Sequence, residues 1–202
     1  MAAGLLVVLS GPSGVGKGTV CRQLLALRPS LQLSVSLTTR QPRPEEKSGC
    51  DYEFAAPSHF QKLISEDAFL EWAVVYGHYY GTLGKRVEEN LLQGTDLLLE
   101  IDVQGALQIR RRLAEAVLIF LAPPSMEALR ERIAGRGTED AVRISRRLKA
   151  AQQELAAYQL YDYLVVNSRV EDAAAAIDAI IAAEKCRVSR GARPPASGGE
   201  QR

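Results

Sequence analysis

Short apolar runs alternate with segments of helical periodicity along most of the 202-residue chain. Unbroken apolar runs are typical of strands that are buried on both faces of a parallel sheet. They occur at residues 5–9, 97–99, 117–121 and 163–166, and the run at 97–99 continues through Glu100 and Ile101 to Asp102 as one predicted strand that ends in an acid. Apolar residues recur every three or four positions in the intervening or following segments 19–27, 87–92, 103–112 and 170–183. This alternation predicts an α/β protein in which helices flank a parallel central sheet.

The pattern changes after the first helical segment. Residues 31–37 alternate between apolar and polar side chains, which predicts a further strand. The stretch after them holds most of the aromatic residues, with short alternating pieces at 52–54 and 69–76. A helical segment lies between these pieces at 58–65, where Ser58 is the expected N-cap. We interpret this stretch as a small mixed α/β subdomain inserted over the main sheet.

Residues 125–158 have helical periodicity on both sides of a glycine-flanked turn, where Thr138 is the expected cap of the second helix. An apolar stripe on that helix predicts one inward-packed face. The stripe consists of Ile144, Leu148, Ala151, Leu155 and Tyr158. The arginines around the turn are Arg132, Arg136, Arg143, Arg146 and Arg147. Because they outnumber the nearby acidic partners, they predict a mobile lid that closes over phosphates, the alternative being a solvated basic hairpin.

Composition and charge narrow the classes of protein that remain. Hydrophobic residues make up 47% and charged residues 24%, which is typical of a globular chain of one domain. A net charge of +1 argues against general nucleic-acid binding. The apolar runs are far shorter than the roughly 20 residues that span a bilayer, and no cleavable leader precedes the first strand, so we expect a cytoplasmic location. The 3 cysteines are too far apart to suggest a zinc site or a disulfide framework.

A glycine-rich segment between the first predicted strand and the first predicted helix has the pattern of a phosphate-binding loop. Its sequence is Gly11-Pro12-Ser13-Gly14-Val15-Gly16-Lys17-Gly18-Thr19. Glycine tolerates positive φ angles and close approach, so the backbone N–H groups can converge on a phosphate. The following helix adds its N-terminal N–H groups, and Lys17 adds a mobile cation. The segment therefore predicts the binding of a nucleoside triphosphate.

The loop departs from the strict pattern at one position that usually meets Mg²⁺. Gly18 stands where a hydroxyl residue is expected, so either Thr19 takes that role or the metal is held through water. Asp102 ends the predicted strand 97–102, where an acid near the metal of a nucleoside triphosphate is expected. Its alternative role is to cap the next helix.

The second substrate has to be inferred from charged side chains elsewhere. Arg40 and Arg43 lie in a proline-restrained loop and can hold a dianionic phosphate through paired N–H bonds. Glu71 lies in an otherwise apolar strand, where an unpaired charge would be costly. Guanine presents two adjacent N–H donors to a carboxylate, and its O6 can accept from a hydroxyl such as Ser36 or Thr82. Because adenine lacks the N1 donor, these residues favour guanine.

With these features together, the chain resembles a guanylate kinase over about residues 5–185, and hence the nucleoside monophosphate kinase group of phosphate-loop proteins. The motifs that carry the resemblance are residues 11–19, 34–36, 38–40, 42–43, 49–54, 69–72, 79–82, 101–105, 123–125 and 135–139. The resemblance implies transfer of the γ-phosphoryl group of ATP to GMP, with Mg²⁺, in guanine nucleotide synthesis and GMP recycling. It also implies a parallel-sheet core, a GMP-binding subdomain and a helical lid.

Motif by motif, the resemblance also implies a role for individual residues. Contacts with the guanine of GMP fall to Ser36, Glu71, Thr82 and Asp102, and Gly81 is a further residue of the GMP site. Contacts with the GMP phosphate fall to Arg40, Arg43, Tyr52 and Tyr80. Charge neutralisation at the transferred phosphoryl group falls to Lys17, Arg43, Arg136 and Arg147. The ATP side consists of residues 11–19 and Asn167. The metal candidates are Thr19 and Asp102, while Glu100 could assist either at the metal or at the guanine.

The same resemblance divides the chain into parts and leaves two other functions to weigh. The expected core consists of residues 1–36, 83–124 and 159–187, with the GMP-binding subdomain at about 37–82 and the lid at about 125–158. Residues 188–202 are rich in Gly, Pro, Ser and Arg and are expected to be disordered. A non-catalytic module that binds phosphorylated protein segments is one alternative, disfavoured by the intact phosphate loop and lid arginines. An adenylate or uridylate kinase is the other, disfavoured by Glu71.

Overall fold

A computed structural model of the chain describes residues 3–135 and 141–190, without the side chains of residues 141–143. The strands are β1 (Leu6–Ser10), β2 (Leu31–Leu33), β3 (Leu37–Thr38), β4 (Glu53–Phe54), β5 (Phe69–Val75), β6 (His78–Leu83), β7 (Asp96–Glu100), β8 (Val117–Ala122) and β9 (Tyr163–Val166). The α-helices are α1 (Lys17–Leu27), α2 (Pro57–Ser65), α3 (Gly84–Leu92), α4 (Val103–Arg112), α5 (Met126–Ala134), α6 (Ala141–Leu155) and α7 (Val170–Lys185). Short 3-10 helices lie at Ala156–Leu160 and Val188–Arg190.

The central sheet has the strand order β2-β7-β1-β8-β9, with parallel pairing throughout. Successive side chains of a strand point to opposite faces, so Val7 packs against α1 and α7 while Val8 packs against α3 and α4. Both side chains are fully buried. The predicted α/β class with a helix-flanked parallel sheet is therefore confirmed.

A smaller mixed sheet, ordered β4-β3-β6-β5, lies beside the central one. It has its own apolar core, in which the Phe60 ring from α2 stacks on Phe69 and Tyr79 at centroid distances of 4.3 and 5.2 Å. The predicted single strand at 31–37 is wrong: β2 belongs to the central sheet and β3 to the mixed sheet. Period-2 alternation is the same in either sheet, so it does not reveal where a chain crosses between them.

Helices α5 and α6 pack together through Leu129, Ile133 and Ala151, with Ile144 and Leu148 against them. The inward stripe predicted for the second helix thus ends before Tyr158, which is 44% exposed in the 3-10 helix that follows α6. The turn residues 136–140, which include the predicted site residue Arg136 and the predicted cap Thr138, lie outside the described part of the chain.

Two local expectations need correction. Helix α2 begins one residue earlier than predicted, with Ala56 rather than Ser58 as its N-cap. Pro57 lies in the first turn, where a backbone N–H would have no partner within the helix, so the N–H that proline lacks is not missed there. Val188–Arg190 were expected to be disordered, yet they form a helical turn in which Arg190 Nε donates to Glu184 at 2.9 Å. Among the helices of residues 3–135 and 141–190, none combines the length and the apolarity that crossing a membrane requires.

Candidate active site

A cleft of about 1140 Å³ lies between the carboxyl ends of the central strands and the mixed sheet. Its lining comes from the loop between β1 and α1, the hairpin of β5 and β6, the carboxyl end of β7 with the start of α4, the inner face of α6, and the residues Ser36, Arg40, Arg43 and Tyr52. Carboxyl ends of parallel strands are where open α/β sheets bind their ligands. Most of the predicted site residues of the described chain line this cleft or contact a residue that does.

The loop between β1 and α1 has the backbone that its glycines predict. Gly14 and Gly16 have φ angles of +88° and +98°, and Gly16 is the N-cap of α1. Lys17 Nζ lies back over the loop and donates to the carbonyl oxygens of Gly11 and Pro12 at 2.6 and 3.3 Å. The ammonium group is thus already next to the loop where a phosphate would be held.

Two side chains from distant elements hold the loop. Asn167, which follows β9 and is 2% exposed, donates from Nδ2 to the carbonyl oxygen of Val15 at 2.8 Å. Arg132 of α5 donates to the carbonyl oxygens of Val15 and Asn167 at 3.2 and 2.9 Å. The loop is therefore connected to β9 and to α5 through one carbonyl group.

Glu71 of β5 is 3% exposed and faces the cleft. The hydroxyl of Thr82 on β6 donates to its Oε1 at 2.6 Å, and Ser36 Oγ lies 3.4 Å from that hydroxyl. Burial raises the pKa of Glu71 to about 7, the Thr82 bond opposes this, and the charge of Asp102 adds to it. A carboxylate held this way can accept hydrogen bonds from two adjacent N–H groups of a ligand.

Asp102 lies two residues beyond the end of β7, so the prediction that the strand runs to residue 102 is wrong. It is the N-cap of α4, and its Oδ1 accepts from the backbone N–H of Gly105 at 2.8 Å. The helix-cap alternative is therefore confirmed, and Asp102 also lines the cleft. Burial raises the pKa of Asp102, and the Gly105 bond and Lys17 oppose that shift.

Glu100 ends β7 and also lines the cleft. Burial raises the pKa of its carboxyl group, against the attraction of Lys17. A Cβ atom at Gly18 would lie 3.4 Å from both carboxylate oxygens, so this acid approaches the position where the strict loop pattern has a hydroxyl. Thr19, the predicted alternative, is exposed on α1 and is not among the residues that line the cleft.

Arg40 points into the cleft in an arrangement that other side chains fix. Its guanidinium donates to Tyr80 Oη at 3.1 Å and to Glu46 Oε1 at 2.8 Å, and it lies 5.5 Å from the centroid of the Tyr52 ring. The bond to Glu46 raises the pKa of Arg40 and lowers that of Glu46. The side chain of Arg43 lines the same cleft and is 67% exposed, 3.9 Å from Glu46.

Gly81 was predicted at the GMP site, but it is buried in β6 and is not among the residues that line the cleft. A Cβ atom there would lie 2.8 Å from the Phe69 ring and 3.0 Å from the Phe60 ring. The glycine therefore allows these two rings to pack under the sheet that carries Glu71.

Helix α6 contributes a basic and an acidic side chain to the cleft. Arg147 is 8% exposed and donates from Nη2 to Ser13 Oγ at 2.9 Å, while Glu154 Oε2 accepts from the backbone N–H of Ser13 at 3.3 Å. Burial raises the pKa of Glu154, with Lys17 opposing the shift. Sequence reasoning missed Glu154 and Glu46. A signal for Glu154 was available, because its seven-residue spacing from Arg147 places the two side chains on one face of a helix.

The cleft holds carboxylates that could bind a metal ion, but the described residues do not supply a complete set of ligands. Asp102 and Glu100 are hard oxygen donors that line the cleft next to Lys17. Within the described residues no cluster of three or more His, Cys, Asp or Glu side chains could hold a metal by itself. This suits Mg²⁺, which keeps several waters and completes its shell with substrate phosphates.

Comparison with known proteins finds close relatives over nearly the whole chain. The family model described as guanylate kinase matches residues 4–184. The guanylate kinase of Caldanaerobacter subterraneus subsp. tengcongensis is 53% identical over 93% of this chain and 91% of its own length. That of Desulfitobacterium hafniense is 50% identical over 93% and 94%. The crystal structure of guanylate kinase from Anaplasma phagocytophilum superimposes with a TM-score of 0.79 at 37% identity, covering 94% of this chain and 90% of the other.

Proposed function

The chain belongs to the guanylate kinase family, and on that premise we propose that it transfers the γ-phosphoryl group of ATP to GMP, giving ADP and GDP. The observation that carries the choice of acceptor is Glu71, which is buried, bonded to Thr82 and turned to the cleft. Guanine N1–H and its 2-amino group would donate to this carboxylate, and the Ser36 hydroxyl would donate to O6, since the Thr82 hydroxyl already donates to Glu71. Adenine would leave the carboxylate without its matching donor, which costs several kcal/mol in a buried site, on the order of a lost charged hydrogen bond.

The phosphate of GMP would lie at Arg40, Tyr80 and Tyr52, with Arg43 at its outer side. Support comes from the way Glu46 and Tyr80 orient the Arg40 guanidinium. A planar guanidinium donates two parallel N–H bonds to a phosphate, and a guanidinium that is already oriented loses less entropy on binding. Tyr52 would donate a neutral hydroxyl, since burial raises its pKa to about 12.

ATP would bind on the other side of the cleft, with its phosphates on residues 11–19 and its base near Asn167. The support is that α1 begins directly after Gly16 of the loop, so that the N-terminus of the helix lies at the loop, and that Lys17 lies over the loop. The ammonium group of Lys17 would leave the carbonyl oxygens of Gly11 and Pro12 for the β- and γ-phosphates.

The reaction needs positioning and charge neutralisation more than covalent help, because the phosphoryl group passes in line between two oxygens. Lys17, Arg43 and Arg147 are the cations of the described chain that we assign to this task, with Arg136 as a further assignment outside it. Closure of α5 and α6 would exclude water, which could otherwise accept the phosphoryl group.

Mg²⁺ is the cofactor that we propose, and Asp102 and Glu100 would hold it through its water shell. When bound, the ion neutralises the negative charge on the ATP phosphates. The two acids lie at the carboxyl end of β7 beside Lys17, and this position supports the assignment. Thr19, which is exposed, is not needed for this set.

The same proposal divides the chain by task. We assign residues 37–82 to binding of GMP and 125–158 to the lid. Residues 1–36, 83–124 and 159–187 form the core in this division. Its support is that the mixed sheet and the pair α5 and α6 each have an apolar cluster of their own.

A coupled assay of ADP release with GMP, AMP, UMP or no acceptor tests the proposal. We expect release with GMP to exceed release with AMP by roughly a thousandfold in kcat/KM, because the acceptor site rejects a base without the matching donors. Equal rates with AMP would contradict the guanine assignment, and equal release without an acceptor would contradict kinase activity.

A further inference from the structure

The hairpin of β5 and β6 turns at Tyr76 and Gly77, and its backbone is unusual for a tyrosine. Val75 pairs with His78, so the turn has two residues, and their φ angles are +50° and +84°. Two-residue turns with both φ angles positive favour Asn-Gly or Gly-Gly, because a bulky side chain is strained in the left-handed region. Tyr76 therefore occupies a position for which its backbone is poorly suited.

The side chain of Tyr76 lies at the edge of the cleft, although 59% of the residue is exposed. The central carbon of the Arg147 guanidinium is 6.0 Å from the centroid of its ring, which is within the range of a cation–π contact. The same guanidinium donates to Ser13 Oγ at 2.9 Å. Arg147 thus lies between the tip of the mixed sheet and the phosphate loop, in contact with both.

We propose that Tyr76 is a positioning residue, whose ring orients the guanidinium of Arg147 for phosphoryl transfer. The inference rests on the proposed function, in which Arg147 neutralises charge on the transferred group. A long arginine side chain has many rotamers, so a ring that restricts it reduces the entropy lost when it reaches the phosphoryl group. The contact also connects the sheet that would hold GMP to the helix that would close over ATP.

A purely structural role for this residue predicts a different result from the positioning role. If residue 76 only had to close the hairpin, asparagine would serve better, because it tolerates positive φ. Strained residues that persist at a functional cleft are often retained for what their side chains do there. Stability and turnover should therefore change in opposite directions when Tyr76 is replaced by asparagine.

The experiment measures kcat, KM for GMP and thermal unfolding for Tyr76→Asn and Tyr76→Phe. Tyr76→Asn should unfold at the same or a higher temperature, and its kcat should fall roughly three- to thirtyfold, the range expected for a lost cation–π contact. Its KM for GMP should change by less than about twofold, because Tyr76 would not bind the acceptor. Tyr76→Phe keeps the ring and should retain wild-type kcat. Asp67→Asn is the matched control, since Asp67 also has a positive φ, +49°, but does not line the cleft.

A double-mutant cycle with Arg147→Gln, which removes the cation, keeps the test decisive even if Tyr76→Asn loses stability. In that background Tyr76→Asn should have little further effect on kcat, since the ring would no longer have a guanidinium to orient. Wild-type kcat in Tyr76→Asn, or additive losses in the cycle, would overturn the inference. Failure of the proposed function would look different, because the wild-type protein would then release no ADP in response to GMP.

Discussion

At the scale of single residues, the position of Glu71 has a cost that can be measured without any substrate. Burial raises the pKa of this carboxyl group to about 7 from its ordinary value of 4.5. The folded protein therefore binds this proton more tightly than the unfolded chain does. The stability contributed by the protonated group is complete below about pH 4.5 and is lost as the pH rises through about 7.

We expect Glu71→Gln to be more stable than the wild type at about pH 8. The difference should be about 3 kcal/mol, which corresponds to the full pKa shift of Glu71. Glutamine keeps an acceptor for the Thr82 hydroxyl but carries no charge, so the cost of burying an ion disappears. Urea unfolding at about pH 8 and about pH 4.5 measures this, and the difference should nearly vanish at the lower pH. A variant less stable than the wild type at both pH values would show that the charge of Glu71 does not destabilise the folded protein.

Gly105 leaves space for the same carboxylate. A Cβ atom there would lie 2.3 Å from Glu71 Oε2, and no other atom would be nearer than 3.1 Å. We expect Gly105→Ala to displace the carboxylate and raise KM for GMP by roughly ten- to a hundredfold, the value of a hydrogen bond to a charged group. The fold should tolerate the change, because only the end of a side chain has to move and alanine favours the helix.

Gly84→Ala is the control for this prediction, since Gly84 is also helical but its Cβ would meet nothing closer than 3.5 Å. Its KM for GMP should match the wild type. If Gly105→Ala also left KM unchanged, the position of the Glu71 carboxylate would not matter for GMP.

At the scale of elements, α6 places an acidic side chain against the phosphate loop, where its negative charge would oppose the binding of a nucleotide. Glu154 accepts from the Ser13 N–H, a donor of the loop that would otherwise be open to a phosphate, and lies close enough to Lys17 for their charges to interact. Its carboxylate therefore substitutes for an anion and would repel one.

We expect Glu154→Gln to bind ADP more tightly, by roughly tenfold, because removing a negative charge near the phosphates lowers the repulsion. Titration calorimetry without an acceptor measures this, with Glu89→Gln as the control, since Glu89 is 57% exposed on α3 and does not line the cleft. Weaker ADP binding in Glu154→Gln would contradict the repulsion and would indicate that this acid supports the nucleotide.

The elements that the sequence predicts best are those that are buried on both faces. The runs at 5–9 and 117–121 match β1 and β8 within one residue at each end, because a continuous apolar run is typical of a strand that is covered on both faces. The run at 163–166 matches the edge strand β9, although Leu164 and Val166 are 52% and 47% exposed. The prediction fails at 31–37, where one alternating pattern serves two sheets. Which sheet a strand joins depends on pairing with residues far away in the chain.

At the scale of the whole molecule, the site combines residues that local patterns do not connect. The phosphate loop and the two arginines at 40 and 43 have signals of their own in the sequence. The spacing of Arg147 and Glu154 places both on one face of a helix, but nothing in the sequence indicates that Glu154 contacts Ser13, because 141 residues separate the two and only folding brings them together. The exposed position of Thr19 and the burial of Gly81 are likewise consequences of packing, which motif matching does not report.

We propose that one buried carboxylate selects the acceptor while a separate loop binds the donor. The most direct measurement is kcat/KM for GMP together with the Kd for ATP in Glu71→Gln and in the wild type. We predict that kcat/KM for GMP falls at least about a hundredfold, as two charged hydrogen bonds are weakened, while the Kd for ATP stays within about threefold. Equal losses for GMP and ATP, or an unchanged kcat/KM for GMP, would contradict it.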